Sequence, residues 1–248
     1  MSLHDEPLSD ERAVELLETV IERAQMRAPE AIVVFDLDST LLDNSPRQSR
    51  IMREYGQEHD IAALAANRAE HWAGWDSRVA MRNSGLDEAR IEQHAAAFKA
   101  YWFQRFFTSE YCVDDQLVPG ADRYTAALVP TGAKIFYVTG RNEPMRRGTV
   151  ECLDRLGFPI PDRARVELVM KPSLDEPDDG YKARTHARLH RCGIVVAAFD
   201  NEPTHINGYR ESFPHALSVH LATDHSLRDI RVLPGIPSIR DFAAFGTR

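Results

Sequence analysis

The segment Ala31-Ile-Val-Val-Phe-Asp36-Leu-Asp38-Ser-Thr40-Leu-Leu-Asp43 runs from five apolar residues directly into two carboxylates with one residue between them. An apolar run of this length, followed by acidic and hydroxyl residues, is typical of a buried parallel strand that ends in a loop. In open α/β sheets, ligands bind beyond the carboxyl ends of such strands. The segment therefore predicts an α/β fold with Asp36 and Asp38 at the edge of the sheet where ligands bind.

Two carboxylates this close repel each other, so either one carries a proton or a cation lies between them. A helix cap or a turn explains one Asp, but not two after a fully apolar strand. A calcium-binding loop counted from Asp36 requires Gly at its sixth position and Glu at its twelfth, where this chain has Leu41 and Arg47. The pattern favours a catalytic site for a metal and a phosphate.

The composition excludes several classes of partner. A chain of 248 residues can bury a full core, and its net charge of -8 opposes non-specific binding to nucleic acid or to an anionic membrane. No apolar stretch approaches the length of a membrane span. We therefore expect neither nucleic acid nor a membrane as a partner.

The cysteines and the N-terminus bear on the location of the protein. Cys112, Cys152 and Cys192 form no CxxC pair, which indicates free thiols in a reducing compartment. The stretch from Met1 to Glu6 has neither the basic start nor the apolar core of a signal peptide. We expect a cytoplasmic protein.

The order of predicted elements divides the chain into two parts. An amphipathic helix from Ser9, its expected cap, to about Arg27 precedes the first strand. Residues 44–118 show helical periodicity without a strand-like run and hold all three tryptophans. After Pro119, strands and helices alternate, which predicts a doubly wound parallel sheet. The further strands are expected at 133–138, 165–170, 193–199 and 216–221.

The sequence Asp36-Leu-Asp38-Ser-Thr40 resembles the first motif, DxDx(T/V), of the haloacid dehalogenase superfamily. The resemblance implies a Rossmann-like α/β core, residues 1–43 and 119–248, with a helical cap, residues 44–118, inserted after the first strand. The cap resembles the family only in its position and helical character. Three further motifs of the superfamily follow in order, each after a predicted strand.

The second motif lies in Thr139-Gly140-Arg141-Asn-Glu-Pro144. Gly140 allows a close approach of the backbone to a ligand, and Pro144 suits the first position of a helix, whose N–H groups attract a phosphate. A capped turn would explain Thr, Gly and Pro almost as well. The resemblance implies that Thr139 binds phosphoryl oxygens, and we expect Gly140 and Arg141 to contribute.

The third motif is a lysine, for which the chain offers Lys171 and Lys182. Lys182 lies at the start of a predicted helix, where the helix dipole disfavours a cation, and an aspartate–phosphate pair would offset that cost. A solvated lysine paired with Asp178 or Asp179 is the alternative. We favour Lys182.

The fourth motif is Phe199-Asp200-Asn201-Glu202-Pro203, where another apolar run meets acidic residues. Asp200 matches the Asp that binds magnesium in the family. Many relatives have a second Asp next, whereas this chain has Asn201, so the roles of Asn201 and Glu202 stay open. A helix cap before Pro203 is compatible with metal binding.

Together the motifs imply a Mg²⁺-dependent phosphohydrolase. Asp36 would attack phosphorus, Asp38 would act as acid and base, and Thr139 and Lys182 would hold the phosphoryl group. Asp36, the carbonyl of Asp38, and Asp200 would hold Mg²⁺. A phosphomutase or phosphotransferase and a non-catalytic binding protein on the same scaffold are the alternatives.

The sequence does not name the substrate, which we expect to be a small phosphorylated metabolite. The densest mixture of aromatic, cationic and glycine residues in the predicted cap is His71-Trp-Ala-Gly-Trp75-Asp-Ser-Arg78. We expect this segment to face the substrate, with Arg78 contributing to specificity.

Overall fold

The computed structural model describes residues 6–162, 164–226 and 228–246. The stretch from Met1 to Glu6, in which we expected no signal peptide, lies outside the described residues except for Glu6. The strands are β1 Ala31–Phe35, β2 Leu42–Asp43, β3 Gln116–Leu117, β4 Lys134–Asn142, β5 Val166–Lys171, β6 Ile194–Asp200, β7 Leu217–Leu221 and β8 Ser238–Ile239. The α-helices are α1 Asp10–Arg27, α2 Ser45–Glu58, α3 Ala62–Ala65, α4 Ser77–Asn83, α5 Glu88–Phe106, α6 Ala121–Leu128, α7 Arg146–Arg155, α8 Asp178–Cys192 and α9 Pro203–Ser212.

The core is a six-stranded parallel sheet in the order β5-β4-β1-β6-β7-β8. All five residues of β1 are buried. Alternate β1 side chains belong to two hydrophobic clusters, one shared with α1, α6 and α7 and the other with α8 and α9. Helices therefore cover both faces of the sheet, which explains the uninterrupted apolar sequence of β1 and confirms the predicted Rossmann-like α/β fold.

Helices α2 to α5 have a hydrophobic cluster of their own, built around side chains such as Tyr55, Trp72 and Phe98. The short antiparallel pair of β2 and β3 joins Leu42 to Leu117 and Asp43 to Gln116. This pair brings the two ends of the helical segment together beside the sheet. None of the helices in the described ranges combines the length and the apolar character needed to cross a membrane.

Several local expectations were wrong. Ser9 occupies the cap position of α1, but its side chain makes no capping hydrogen bond. Strand β4 extends to Asn142, so Thr139, Gly140 and Arg141 belong to the strand, and Pro144 lies in a 3-10 turn before α7. Helix α8 begins at Asp178, which places Lys182 beyond the first turn of the helix. The short strands β2, β3 and β8 carry too few residues to show a periodic signal.

Candidate active site

The sheet brings the predicted acidic residues to one edge. Phe35 at the end of β1 pairs with Phe199 in β6, and the backbone N–H of Asp36 donates to the carbonyl of Phe199 at 2.9 Å. Asp36 therefore follows β1 at the level where Asp200 ends β6. After Asp38 the chain turns through Ser39, whose positive φ of 59° is unusual for a residue with a side chain.

Lys182 lies between the carboxylates of Asp36 and Asp200. Its ammonium group donates to Asp36 Oδ1 at 2.6 Å, to Asp200 Oδ2 at 2.9 Å and to the carbonyl of Val138 at 2.9 Å. The side chain is 3 % exposed, which excludes the alternative of a solvated lysine. Lys182, the lysine favoured for the third motif, therefore contacts both the first and the fourth motif.

The charges of this cluster shift its pKa values in opposite directions. Burial, together with the nearby charges of Asp200 and Asp38, raises the pKa of Asp36 to about 7 against the opposing effect of Lys182. Burial also acts to raise the pKa of Asp200, but Lys182 and His205 together outweigh it and the pKa is lowered. Without a further cation, Asp36 is the carboxyl of the pair that takes up a proton more readily.

Asp38 is held by two buried arginines. Arg141 Nη2 donates to Asp38 Oδ1 at 2.6 Å, and Arg47 Nη2 donates to the same oxygen at 3.2 Å. Both guanidinium groups also bind Asp115, which has no exposed surface. Burial opposes ionisation of Asp38, but Arg141 outweighs it and lowers the pKa of Asp38 to about 2.

Arg47 and Asp115 are site residues that the sequence did not reveal. Arg47 Nε and Nη2 donate to the two carboxylate oxygens of Asp115, each at 2.8 Å, and Nη1 donates to the carbonyl of Phe106 at 2.9 Å. Arg47 lies in the first turn of α2 and also binds Asp38, while Asp115 precedes β3, so the pair links the helical segment to the edge of the sheet that carries Asp36 and Asp38. In the sequence, a charged residue at either position is typical of a solvated surface. Their burial follows from the contact between the two residues, which lie 68 positions apart in the chain.

Arg141 does not have the role expected of it. Its Nε donates to Asp38, its Nη1 to Thr149 Oγ1 at 3.2 Å, and its Nη2 to Asp38 and Asp115, so all three nitrogens are engaged by protein acceptors. The guanidinium group therefore positions Asp38 rather than binding a phosphate directly.

The other predicted phosphate-binding residues lie beside the carboxylates. Gly140 lines the cavity in front of Asp36, whereas Thr139 is fully buried and its Oγ1 accepts the N–H of Arg141 at 3.2 Å. The N–H groups of Leu37 and Asp38 have no hydrogen-bond partner among the described residues. Unpaired N–H groups beside a cavity are suited to bind an anion.

Lys171, the alternative lysine, lies at the rim of the cavity. Its ammonium donates to Asp178 Oδ1 at 2.5 Å and to the carbonyl of Glu176 at 3.0 Å. The Asp178 side chain is 52 % exposed, so this ion pair reaches the surface. The geometry separates the two lysines, with Lys182 beside Asp36 and Lys171 paired at the rim.

The residues after Asp200 are fixed by the protein itself. The Asn201 side chain accepts from Thr40 Oγ1 at 3.1 Å and donates to the carbonyl of Asp224 at 2.6 Å. Glu202 accepts from the N–H and hydroxyl of Ser226 at 2.9 and 2.8 Å. Asp200 Oδ1 accepts the N–H of Glu202 at 2.9 Å, but Glu202 is the residue that precedes α9 and no side chain caps that helix, so Asp200 does not have the predicted capping role.

The oxygen groups at this edge fit a magnesium ion in kind. Within the described ranges, there is no group of three or more His, Cys, Asp or Glu side chains that could hold a metal ion. The predicted ligands, however, are two side chains, Asp36 and Asp200, and the carbonyl of Asp38, which accepts no hydrogen bond among the described residues. One or two carboxylates with water and substrate oxygens are the usual magnesium environment.

A cavity of about 330 Å³ opens in front of Asp36 and Asp38. From the segment predicted to face the substrate, Trp75 lines this cavity. Arg78 does not, because its guanidinium pairs with Glu92 on the surface of the helical segment, and the expectation for Arg78 was wrong. The other residues of the helical segment that line the cavity are Trp102, Phe103, Phe106 and Phe107.

Solved structures resemble this fold at low sequence identity. Protein tyrosine kinase A of Mycobacterium tuberculosis superposes with a TM-score of 0.55 and 18 % identity, over 86 % of this chain and 94 % of that chain. A candidate phosphatase from Clostridium difficile superposes with a TM-score of 0.50 and 13 % identity, over 79 % of this chain and 87 % of that one. At such identities the likeness concerns the fold.

No curated protein sequence shows significant similarity to this chain. The family model of the haloacid dehalogenase-like hydrolases matches residues 31–204, which contain Asp36, Thr139, Lys182 and Asp200. The match covers more than half of the chain and includes the strands that carry the site. The chain belongs to the haloacid dehalogenase-like hydrolases.

Proposed function

We propose that the protein is a phosphatase that hydrolyses a phosphate monoester through a covalent aspartyl-phosphate on Asp36. The observation that carries the proposal is the position of Asp36, which lines the cavity with one oxygen bound to Lys182 and the other without a partner among the described residues. A carboxylate so placed can attack phosphorus with its free oxygen while the ammonium group stays beside the reacting atoms.

Binding of the phosphoryl group would use groups on both sides of Asp36. The N–H groups of Leu37 and Asp38 offer donors without side-chain flexibility, Gly140 lines the cavity, and Lys182 supplies a positive charge. Thr139 supports the strand end from below the cavity surface through its bond to the N–H of Arg141. In phosphoryl transfer, positioning and charge stabilisation account for most of the catalysis.

Asp38 would move the protons of the two half-reactions. It would donate a proton to the leaving oxygen when Asp36 is phosphorylated, and it would then accept a proton from the water that hydrolyses the intermediate. Its carboxylate is ionised in the free protein, so it must first take up a proton, which the negative charge of a bound phosphate favours. Arg141 and Arg47 fix its orientation throughout.

Asp36, Asp200 and the carbonyl of Asp38 would hold Mg²⁺, and the bound ion would offset the repulsion between the nucleophile and the phosphate. We also propose that residues 44–118 act as a cap, because aromatic side chains of the helical segment line the same cavity as the catalytic carboxylates. A volume of about 330 Å³ suits a small phosphorylated metabolite, near the lower end of ligand pockets of about 300–1,000 Å³.

The test is phosphate release from p-nitrophenyl phosphate with Mg²⁺. Asp36→Asn should abolish turnover because an amide of nearly the same shape cannot attack phosphorus. Asp38→Asn should lower kcat by roughly 10²–10⁴-fold, the usual contribution of general acid–base catalysis. Asp154→Asn, at an exposed position on α7 away from the cavity, is the matched control and should retain activity. Undiminished activity in Asp36→Asn would refute the mechanism.

A further inference from the structure

The helical segment contributes only aromatic side chains to the catalytic cavity. They are Trp75, before α4, then Trp102, Phe103 and Phe106 in the last turns of α5, and Phe107 directly after that helix. The remaining lining residues come from the α/β core and are mostly charged or polar. We call the charged residues around Asp36 the floor of the cavity and the aromatic residues of the helical segment its aromatic wall.

The aromatic wall is packed and anchored. The Trp102 ring stacks on Phe106 with centroids 4.4 Å apart and an angle of 21°, while Trp75 meets Phe106 edge-on at 5.4 Å and 81°. The Arg47 guanidinium covers the Phe106 ring at 4.1 Å and also binds Asp38. The wall is thus tied directly to the catalytic carboxylate, and its position relative to Asp38 is fixed by contacts.

Part of this wall remains uncovered. Phe103 is 52 % exposed, and Trp75, Trp102 and Phe107 are partly exposed. Covering this apolar surface with an apolar group of a ligand removes it from water, which favours binding. Aromatic side chains add a preference for ring partners, which they hold in stacked or edge-to-face geometry.

The cations of the cavity leave no free charge for a second anionic group. Lys182 is bound to Asp36 and Asp200, and Arg141 to Asp38 and Asp115. At the rim, Lys171 pairs with Asp178, and Arg228 pairs with Asp179 at 2.7 Å and with Glu202 at 3.2 Å. Every cation that lines the cavity in the described chain already has a carboxylate partner, which disfavours substrates with a carboxylate or a second phosphate.

We infer that the substrate is a monophosphate ester whose leaving group is uncharged and carries an aromatic ring that packs against Trp75, Trp102 and Phe103. This inference rests on the proposed phosphatase activity and narrows its substrate class. The phosphoryl group occupies the floor beside Asp36, and the ring occupies the aromatic wall. The small volume restricts the leaving group to about one ring system with its linker.

The first experiment compares three phosphate esters with Mg²⁺ present: benzyl phosphate, cyclohexylmethyl phosphate and ethyl phosphate. Their alcohols are of similar acidity, so differences in kcat/KM report binding of the leaving group rather than its chemical reactivity. We expect benzyl phosphate to exceed ethyl phosphate by about tenfold, which corresponds to about 1.4 kcal/mol. Cyclohexylmethyl phosphate should lie between them, because it is apolar but lacks a ring face.

Variants locate the preference on the aromatic wall. Phe103→Ala removes an exposed side chain, so it tests the wall without a large risk to folding, and Trp102→Leu tests its centre. Both should lower the ratio of kcat/KM for benzyl over ethyl phosphate severalfold. Trp72→Phe is the matched control: Trp72 is buried in the cluster of the helical segment, donates to Asn67 Oδ1, and does not line this cavity. Its ratio should remain that of the wild type.

A binding measurement separates the substrate class from the chemistry. Calorimetric titration with benzylphosphonate and ethylphosphonate, which cannot be hydrolysed, should give about tenfold tighter binding of the benzyl compound. Phosphate release with equal kcat/KM for benzyl and ethyl esters would overturn the aromatic site and leave the phosphatase proposal standing. Selective binding of benzylphosphonate without hydrolysis of any ester would overturn the phosphatase proposal and leave the aromatic site standing. The absence of both a binding preference and hydrolysis would overturn both proposals.

Discussion

Replacement of Arg47 by Met tests whether the buried ion cluster joins the helical segment to the catalytic edge. Arg47 has no exposed surface and donates to Asp115, Asp38 and the carbonyl of Phe106. Removal of one partner from a buried ion pair costs about 3–5 kcal/mol, because the remaining charge stays buried without compensation. Arg141 continues to bind Asp115 at 2.6 Å, which favours the lower end of that range.

The assay is urea unfolding followed by far-UV circular dichroism, with thermal unfolding as a second measurement. For a chain of this size, about 3–5 kcal/mol corresponds to a fall in Tm of roughly 6–20 °C. The matched control is Arg50→Met in the same helix, where the guanidinium binds Glu54 and Asp114 but the side chain is 27 % exposed. Such a surface pair contributes about 1 kcal/mol or less.

A double variant provides the internal check. Arg47→Met with Asp115→Asn should be less destabilised than the sum of the two single variants, because the amide no longer requires a counter-charge. If Arg47→Met destabilises the protein no more than Arg50→Met does, the cluster does not stabilise the junction and the reasoning is refuted.

Three further predictions concern charge at the site and in the core. Lys182→Ala should reduce kcat by at least about 10²-fold and Lys171→Ala by less than about tenfold in phosphate-release assays, because only Lys182 contacts Asp36; the reverse order would move the third motif to Lys171. Chelation by EDTA should remove activity, and Mg²⁺ should restore it better than Ca²⁺. Asp200→Asn should raise the Mg²⁺ concentration required for activity. If only Glu202→Gln raises it, Asp200 is not the metal ligand. Burial, with the charge of Lys182, lowers the pKa of His186 to about 4 from an ordinary value of about 6.5. Between these two pH values the unfolded chain binds the proton more readily than the folded protein, so the free energy of unfolding falls as the pH falls. After solvent screening, the loss is at most about 2 kcal/mol. Urea unfolding at pH 7 and pH 5 should show a smaller loss in His186→Gln than in the wild type, and equal losses would exclude His186 as the cause.

The sequence predicted those strands and site residues whose burial and position follow from a continuous apolar run. The apolar run before Asp36 predicted β1 residue for residue because a strand covered on both faces admits no polar side chain. The runs before Asp200 and Thr139 placed their strands for the same reason, and a parallel sheet brings the ends of such strands together. The position of Lys182 in the helix after β5 followed from the family motif.

The sequence was uninformative where a contact between distant segments decides the role of a residue. Arg47 and Asp115 are ordinary charged residues until the fold buries them against each other and against Asp38. Arg141 follows Thr139 and Gly140 as a phosphate-binding residue would, yet Asp115 and Thr149 take its donors. Arg78 was expected at the substrate because of its neighbours in sequence, whereas the direction of α4 gives it Glu92 as a partner and leaves Trp75 at the cavity.

The central claim is that Asp36 carries the phosphoryl group during turnover. Borohydride reduces an acyl phosphate to the corresponding alcohol, so enzyme quenched during turnover and treated with borohydride should contain homoserine in place of Asp36. Peptide mass spectrometry should find this change only when both substrate and Mg²⁺ are present, and never in Asp36→Asn. Phosphate release at full rate with no modification of Asp36, or with modification of Asp38 instead, would contradict the account.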